Sequence, residues 1–142
     1  MQWVETEEIV RFNEVDEWGM AWYGHYMAWF EAGRMALLER FDLTPSQMVA
    51  LGFIAPIIKL TCDYKKPASC GDRIVIRTTV TKPEIAALNF IFEVTLKTDR
   101  SLLARGETTQ VLLTTDKKMI YRLSGELADR VGKLLEYCSR SN

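Results

Sequence analysis

The stretch most suited to chemistry is the loop from Asn13 to Gly24, where one carboxylate, Asp16, is followed by Trp18, Gly19, Trp22 and Tyr23. A carboxylate partly stripped of water between Trp18 and Trp22 gains reactivity toward an electrophilic carbonyl, as nucleophile or as general base. The plainer reading is that Asp16 caps a turn or pairs with Arg11, as most loop aspartates do. On the residues alone both readings stand.

His25 is the sole histidine, so any Ser-His or Cys-His scheme would have to use it. Its place at the start of a helical pattern suits a pocket group better. Trp22 and Tyr23, in the loop, could wall an acyl pocket, whereas Tyr26 and Trp29 fall at helical spacing and read as core. No Ser, Thr, Asp or Asn stands at the cap position near Tyr23 and Gly24, so the first helical N–H groups could face a ligand oxygen, aided by the helix dipole. Gly24 acting as an ordinary N-cap is the alternative. No HExxH, GxSxG, GxxxxGK[ST] or GxGxxG occurs, and one histidine with three dispersed cysteines does not make a usual zinc site, so neither metal nor cofactor is implied.

The elements that must hold this loop are readable from periodicity. Trp3 to Phe12 alternates loosely and predicts a first strand. From His25 to Phe41 apolar residues recur at three- and four-residue steps, predicting a long helix. Gly33 in its middle costs about 1 kcal/mol against alanine, so something must pack closely there. Thr44-Pro45 opens a second helix, to Leu51, closed by Gly52. Phe53 to Tyr64, Arg73 to Thr81, Leu88 to Lys97 and Leu102 to Thr114 predict four successive strands in an antiparallel meander. A short strand at Met119 to Arg122 and a helix from Ser124 to Tyr137 follow. This is an α+β arrangement whose sheet covers the long helix on one face only, so a second copy is expected to cover the rest. Edge strands such as Arg73 to Thr81 or Leu88 to Lys97 are expected to meet across the two-fold axis.

Composition sets the limits. The 142 residues suit one core, and 48% hydrophobic with 26% charged residues excludes a disordered or fibrous chain. A formal net charge of -1 gives no field to gather nucleic acid or an acidic membrane. Cys62, Cys70 and Cys138 form no CxxC pair and suit a reducing compartment, with Cys62 and Cys70 in strand or loop packing and Cys138 in a tail. The acidic start MQWVETEEIV resembles no leader, so a cytoplasmic location is expected.

The run Asp16-Glu-Trp-Gly19-Met-Ala-Trp22-Tyr23-Gly-His-Tyr26, followed by Phe30-Glu31 and Arg34, resembles the 4-hydroxybenzoyl-CoA thioesterase family of hot-dog proteins, and the likeness extends through Asp63-Tyr64, Pro67, Gly71-Asp72 and Gly106-Glu107. It implies an antiparallel sheet of five to six strands wrapped around one central helix. It further implies hydrolysis of an acyl-CoA thioester without a cofactor, while the one-sided cover of the helix points to a homodimer or homotetramer. By the same likeness Asp16 is the catalytic carboxylate, the backbone amide of Tyr23 polarises the carbonyl, and Gly19, Trp22 and His25 lie at the substrate pocket. CoA carries phosphates, which points to Lys82, Lys117, Lys118 and Arg122 as rim cations. Lys82-Pro83-Glu84-Ile85 stands where relatives tend to carry an Arg-Gly-Ser type of turn, so the usual nucleotide contacts need not carry over. An acyl carrier protein as substrate donor, or an acyl-CoA-binding module without catalysis, are the other readings.

Overall fold

The computed structural model describes residues 1–82 and 86–141. In chain order come strand β1 (Val4–Ile9), a 3-10 turn (Phe12–Glu14), helices α1 (His25–Glu39) and α2 (Pro45–Ala50), and strands β2 (Phe53–Ile54) and β3 (Ile57–Tyr64). Strands β4 (Arg73–Thr81), β5 (Ala87–Leu96), β6 (Leu102–Val111) and β7 (Leu113–Thr114) follow, then helix α3 (Gly125–Ser139). Five strands form one sheet in the order β1-β4-β5-β6-β3, with every neighbour antiparallel, while β2 pairs with β7.

The expected α+β hot-dog arrangement is what the chain adopts. Helix α1 packs on β1, β4 and β5, and Gly33 explains how it comes so close. A Cβ built there would stand 2.3 Å from Thr78 Oγ1 and 2.8 Å from Ile76 Cγ2. The missing side chain is therefore filled by the sheet. Across the pairing register, Ile76 lies opposite Val94 and Thr78 opposite Phe92, so these four share the side that meets the helix. Phe30 of α1 stacks on Phe92 with ring centroids 4.7 Å apart.

The other helices follow their caps and stripes. Thr44 and Gln47 form a reciprocal capping box ahead of α2, with Pro45 in the first turn. On α3, Leu127, Val131, Leu134 and Cys138 are buried at helical spacing. Cys138 is thus a core residue on the last turn and not part of a tail, and its carbonyl accepts from the N–H of Gln2. Cys70 is exposed and Cys62 half-buried.

Several expected boundaries move, each for a local reason. The first strand stops at Ile9, because the Arg11 N–H is taken by the Glu14 side chain and the chain winds into the 3-10 turn. The strand expected from Phe53 to Tyr64 breaks at Ala55-Pro56, as a residue without an N–H breaks a ladder. The strand expected from Leu102 to Thr114 is interrupted at Leu112, past which the chain changes partner from β5 to β2 and continues as β7. Met119 to Arg122 is not a strand; Met119 makes one isolated bridge to Leu113. The turn expected at Lys82-Pro83 falls partly on residues 83–85, outside the described residues.

The meander is also only partial. β4, β5 and β6 are sequential neighbours, but β3 crosses to the far side of β6. The sheet therefore has β1 and β3 at its edges, and the strands expected to be edges, Arg73 to Thr81 and Leu88 to Lys97, lie inside it. Their sequences agree with that position: β4 and β5 carry buried residues on both faces, as central strands must.

Candidate active site

Asp16 closes its own turn. Its Oδ1 accepts from the N–H groups of Trp18 (2.9 Å) and Met20 (3.2 Å), while its backbone N–H donates to the Met20 carbonyl at 2.7 Å. The capping reading is therefore part of the structure, whereas no ion pair joins Asp16 to Arg11 among the described residues. Capping occupies one oxygen. Oδ2 accepts no hydrogen bond among the described residues, so the turn fixes the carboxylate and leaves its second oxygen available. Gly19, in the same turn, has φ 77°, the left-handed conformation that a glycine adopts without strain.

Two attachments hold the loop against the sheet. Met20 bridges to Ser69, and the Ala21 N–H donates to the Ala68 carbonyl at 2.7 Å. The Trp22 N–H donates to the Glu14 carbonyl at 2.8 Å. Tyr64, at the end of β3, donates its hydroxyl to the Tyr23 carbonyl at 2.8 Å and meets Tyr26 edge to face at 4.9 Å. Loss of water around its hydroxyl raises the Tyr64 phenol above its ordinary range even though the residue is half-exposed, and the Cys62 thiol beside it adds to the effect. Burial likewise pushes the Cys62 thiol up. Both groups are held neutral, so the clamp on Tyr23 is a neutral hydrogen bond.

The helix starts without a side-chain cap: Gly24 holds the N-cap position in helical conformation. The His25 N–H returns to the Trp22 carbonyl at 2.9 Å. The N–H groups of Tyr23 and Gly24 donate to nothing among the described residues, so they remain open to an incoming oxygen. Trp22 folds over Gly24, where a Cβ would meet its indole ring at 2.1 Å. That ring also meets His25 edge-on at 5.8 Å.

Asp16, Gly19, Trp22, Tyr23 and His25 thus fall within one loop and the first residue of α1. Glu14 joins them unpredicted, with Oε2 standing 3.7 Å from His25 Nδ1. Its signal was the Arg11-to-Glu14 spacing, a turn-closing pattern that was not recognised. Tyr64 also went unassigned, although Asp63-Tyr64 belongs to the quoted resemblance. One expectation fails in the single subunit: Trp18 is 82% exposed and Trp22 47% exposed, so neither shields Asp16 from water.

The basic candidates divide. Lys82 and Arg122 line one cavity of about 360 Å3 against α3, together with Tyr121 and Val131. Lys117 and Lys118 sit outside it on an exposed turn, with Lys118 Nζ 3.6 Å from Asp116. Helix α3 packs near the end of α1, where Tyr137 accepts from Arg40 and Arg130 donates to the Asp42 carbonyl. The 15 residues of α1 span about 22 Å, so the Lys82–Arg122 cavity and Asp16 lie toward opposite ends of that helix. One subunit does not bring them together. Among the described residues no group of three or more His, Cys, Asp or Glu is placed to hold a metal ion, and no helix is long and apolar enough to cross a membrane.

Residues 10–131 match the sequence profile of the Thioesterase-like superfamily, and the chain belongs to that family. This places it among thioester hydrolases. It is 33% identical over 78 residues to a Bacillus subtilis (strain 168) protein provisionally named acyl-CoA thioesterase YneP, a match covering 54% of this chain and 56% of that one. It is 26% identical over 144 residues to a 1,4-dihydroxy-2-naphthoyl-CoA hydrolase of Synechococcus sp. (strain CC9605), covering 96% of this chain and 92% of the relative. The crystal structure of a 1,4-dihydroxy-2-naphthoyl-CoA thioesterase from Synechocystis superposes with a TM-score of 0.85 at 18% identity, over 99% of this chain and all of that one, a likeness of fold.

Proposed function

We infer that the protein hydrolyses an acyl-CoA thioester to free acid and CoA, with a 4-hydroxybenzoyl-CoA-thioesterase type of site built on Asp16. The observation that carries this reading is the asymmetric carboxylate: Oδ1 is tied to two backbone N–H groups, Oδ2 is free, and two unpaired amides stand at the adjacent helix start. A thioester carbonyl accepts from the Tyr23 N–H, and the positive end of α1 stabilises the negative charge that develops on its oxygen. Oδ2 then either attacks the carbonyl carbon or takes a proton from a water that does so. The tetrahedral adduct collapses and CoA leaves as its thiolate; on the water route the free acid forms at once, and on the nucleophilic route a water then adds to the Asp16 mixed anhydride and breaks it, releasing the acid and restoring the carboxylate. Gly19, Trp22 and His25 border the acyl end. Lys82 and Arg122 offer cations for the CoA phosphates, with Lys117 and Lys118 on the nearby turn.

The site needs a second copy of the chain. β3 is an edge strand that leaves Ile57, Ile58, Leu60 and Tyr64 exposed, and Trp18, Trp22 and Tyr23 are exposed on the loop that Tyr64 meets. The Tyr64 end of β3 is the one that meets the loop, through Tyr23, so pairing β3 with β3 of a partner covers this apolar edge and brings a second surface toward Asp16, giving a homodimer that can double to a homotetramer. It also offers a route by which a partner's cations reach the CoA moiety.

The test is thiol release from a panel of acyl-CoA thioesters by the purified protein, with matched acyl-carrier-protein thioesters in parallel. Turnover of the CoA thioesters is expected. Exclusive turnover of the carrier-bound substrates overturns the CoA assignment. Tight acyl-CoA binding without thiol release establishes a binding module instead.

A further inference from the structure

Edge strand β3 carries two opposite charges that its own subunit does not answer. Lys59 and Asp63 are exposed, and neither joins an ion pair among the described residues. Asp63 lies opposite Arg105 on β6, but Arg105 turns to Glu93. Lys59 lies opposite Thr109, whose hydroxyl donates to Asn89.

The strand has two distinct faces. Leu60, Cys62 and Tyr64 lie opposite Thr108, Gly106 and Ala104, and a Cβ on Gly106 would stand 2.4 Å from the Phe30 ring of α1, so this set faces the helix. Lys59, Thr61 and Asp63 occupy the other face. The backbone alternates as well. The Lys65 N–H donates to the Leu103 carbonyl at 2.8 Å, one step past the Tyr64–Ala104 pair. By alternation Thr61 and Asp63 bond toward β6, whereas the N–H and C=O groups of Leu60, Cys62 and Tyr64 point outward from the sheet edge.

A second β3 meeting this edge across a two-fold axis must set outward groups against outward groups. Centred on Leu60, the pair would set Tyr64 against the partner's Pro56, which has no N–H to give. Centred on Cys62, it would set Lys59 against the partner's Lys65, a like charge. Centred on Thr61, it sets Lys59 against the partner's Asp63, Leu60 against the partner's Cys62 and Tyr64 against the partner's Ile58. The bulge between Ile57 and Lys59 falls outside the span 59–63.

Resting on the dimeric thioesterase described above, we propose that β3 pairs with β3 of a second copy in the register centred on Thr61, fixed by an ion pair of Lys59 with the partner's Asp63 and its symmetry mate. Lys59, Thr61 and Asp63 then fall in non-hydrogen-bonded pairs, where Cα atoms approach to about 4.5 Å and facing side chains are closest. The register also bears on the site. Tyr64, whose hydroxyl holds the Tyr23 carbonyl, is 47% exposed and receives the partner's Ile58 beside its ring.

Charge reversal tests the register, with sedimentation at low ionic strength and thiol release from acyl-CoA measured on the same samples. Lys59→Glu sets like charges together at both ends of the strand pair, and so does Asp63→Lys. Each alone shifts toward half the wild-type mass, with the dissociation constant raised about tenfold or more. An equimolar mixture of the two variants restores opposite charges at both positions and reassembles with one chain of each, which native mass spectrometry identifies. The double variant Lys59→Glu/Asp63→Lys assembles as the wild type does, which keeps the test decisive should a single variant fold poorly. Thiol release falls in the single variants and returns on reassembly. Single variants of wild-type mass and dissociation constant, or no recovery in either the mixture or the double variant, overturn the register. Reassembly without recovered turnover overturns the role of the strand pair at the site. A wild-type protein that assembles in this pattern but hydrolyses no thioester overturns the hydrolytic reading and leaves the register standing.

Discussion

Oδ1 of Asp16 is bound to the N–H groups of Trp18 and Met20, which leaves any chemistry to Oδ2. The two sequence readings of this residue, turn cap and reactive carboxylate, are therefore compatible within one side chain, a possibility that residue types alone could not display. The loop residues were legible because their aromatic character has no turn-forming purpose. Glu14 closes a local turn on the Arg11 N–H, which its spacing shows, but its contact with His25 and the hold of Tyr64 on the Tyr23 carbonyl depend on the fold. The Tyr64 contact fixes the peptide that leads into the open helix start. Tyr64→Phe removes one hydrogen bond and keeps the ring against Tyr26, so kcat is expected to fall about fivefold to tenfold with little change in KM. Steady-state kinetics on an acyl-CoA substrate decide this; an unchanged kcat means that the hydroxyl does not position the helix start.

The long helix and most of the strands were readable from periodicity, and Gly33 correctly announced a close approach. Its partner, the face of β4, was beyond reach of one sequence. Gly33→Ala gains about 1 kcal/mol of helix propensity but drives a methyl group into Thr78 and Ile76. Overpacking of this kind costs typically 1–3 kcal/mol, and because the crowding atoms belong to buried β-branched side chains of an inner strand, Thr78 and Ile76, the cost is expected to exceed the gain. Thermal unfolding should show Tm lower by a few degrees; an equal or higher Tm would mean that α1 can lift from the sheet freely. The strand breaks divide in legibility. Pro56 is visible as a residue that cannot donate to a ladder, whereas the interruption at Leu112 depends on where β2 lies, since β7 pairs with it.

The expectation of a second copy comes from the order of elements, a sheet that covers one side of a helix. The order does not reveal which strands form the sheet edges, because β3 leaves its sequence neighbour β4 and crosses to β6. The two-sided burial of β4 and β5 follows from that crossing. At this scale the exposed apolar edge makes a direct prediction: Ile58, 60% exposed, contributes to the interface, not to the core of its own subunit. Ile58→Lys should leave the fold intact and shift sedimentation from dimer or larger toward monomer at micromolar concentration, with activity falling in parallel. A mass that stays unchanged with full activity would place the interface elsewhere.

The central claim, that Asp16 Oδ2 drives thioester hydrolysis, is tested most directly by Asp16→Asn. Asparagine keeps an oxygen for the Trp18 and Met20 N–H groups, so the turn, the Tm and the affinity for a non-hydrolysable acyl-CoA analogue should persist. It replaces the second oxygen with an NH2 group that can neither attack nor accept a proton. The account predicts that kcat drops about 10²- to 10⁴-fold with binding preserved; a variant that binds and turns over within threefold of the wild type would contradict it.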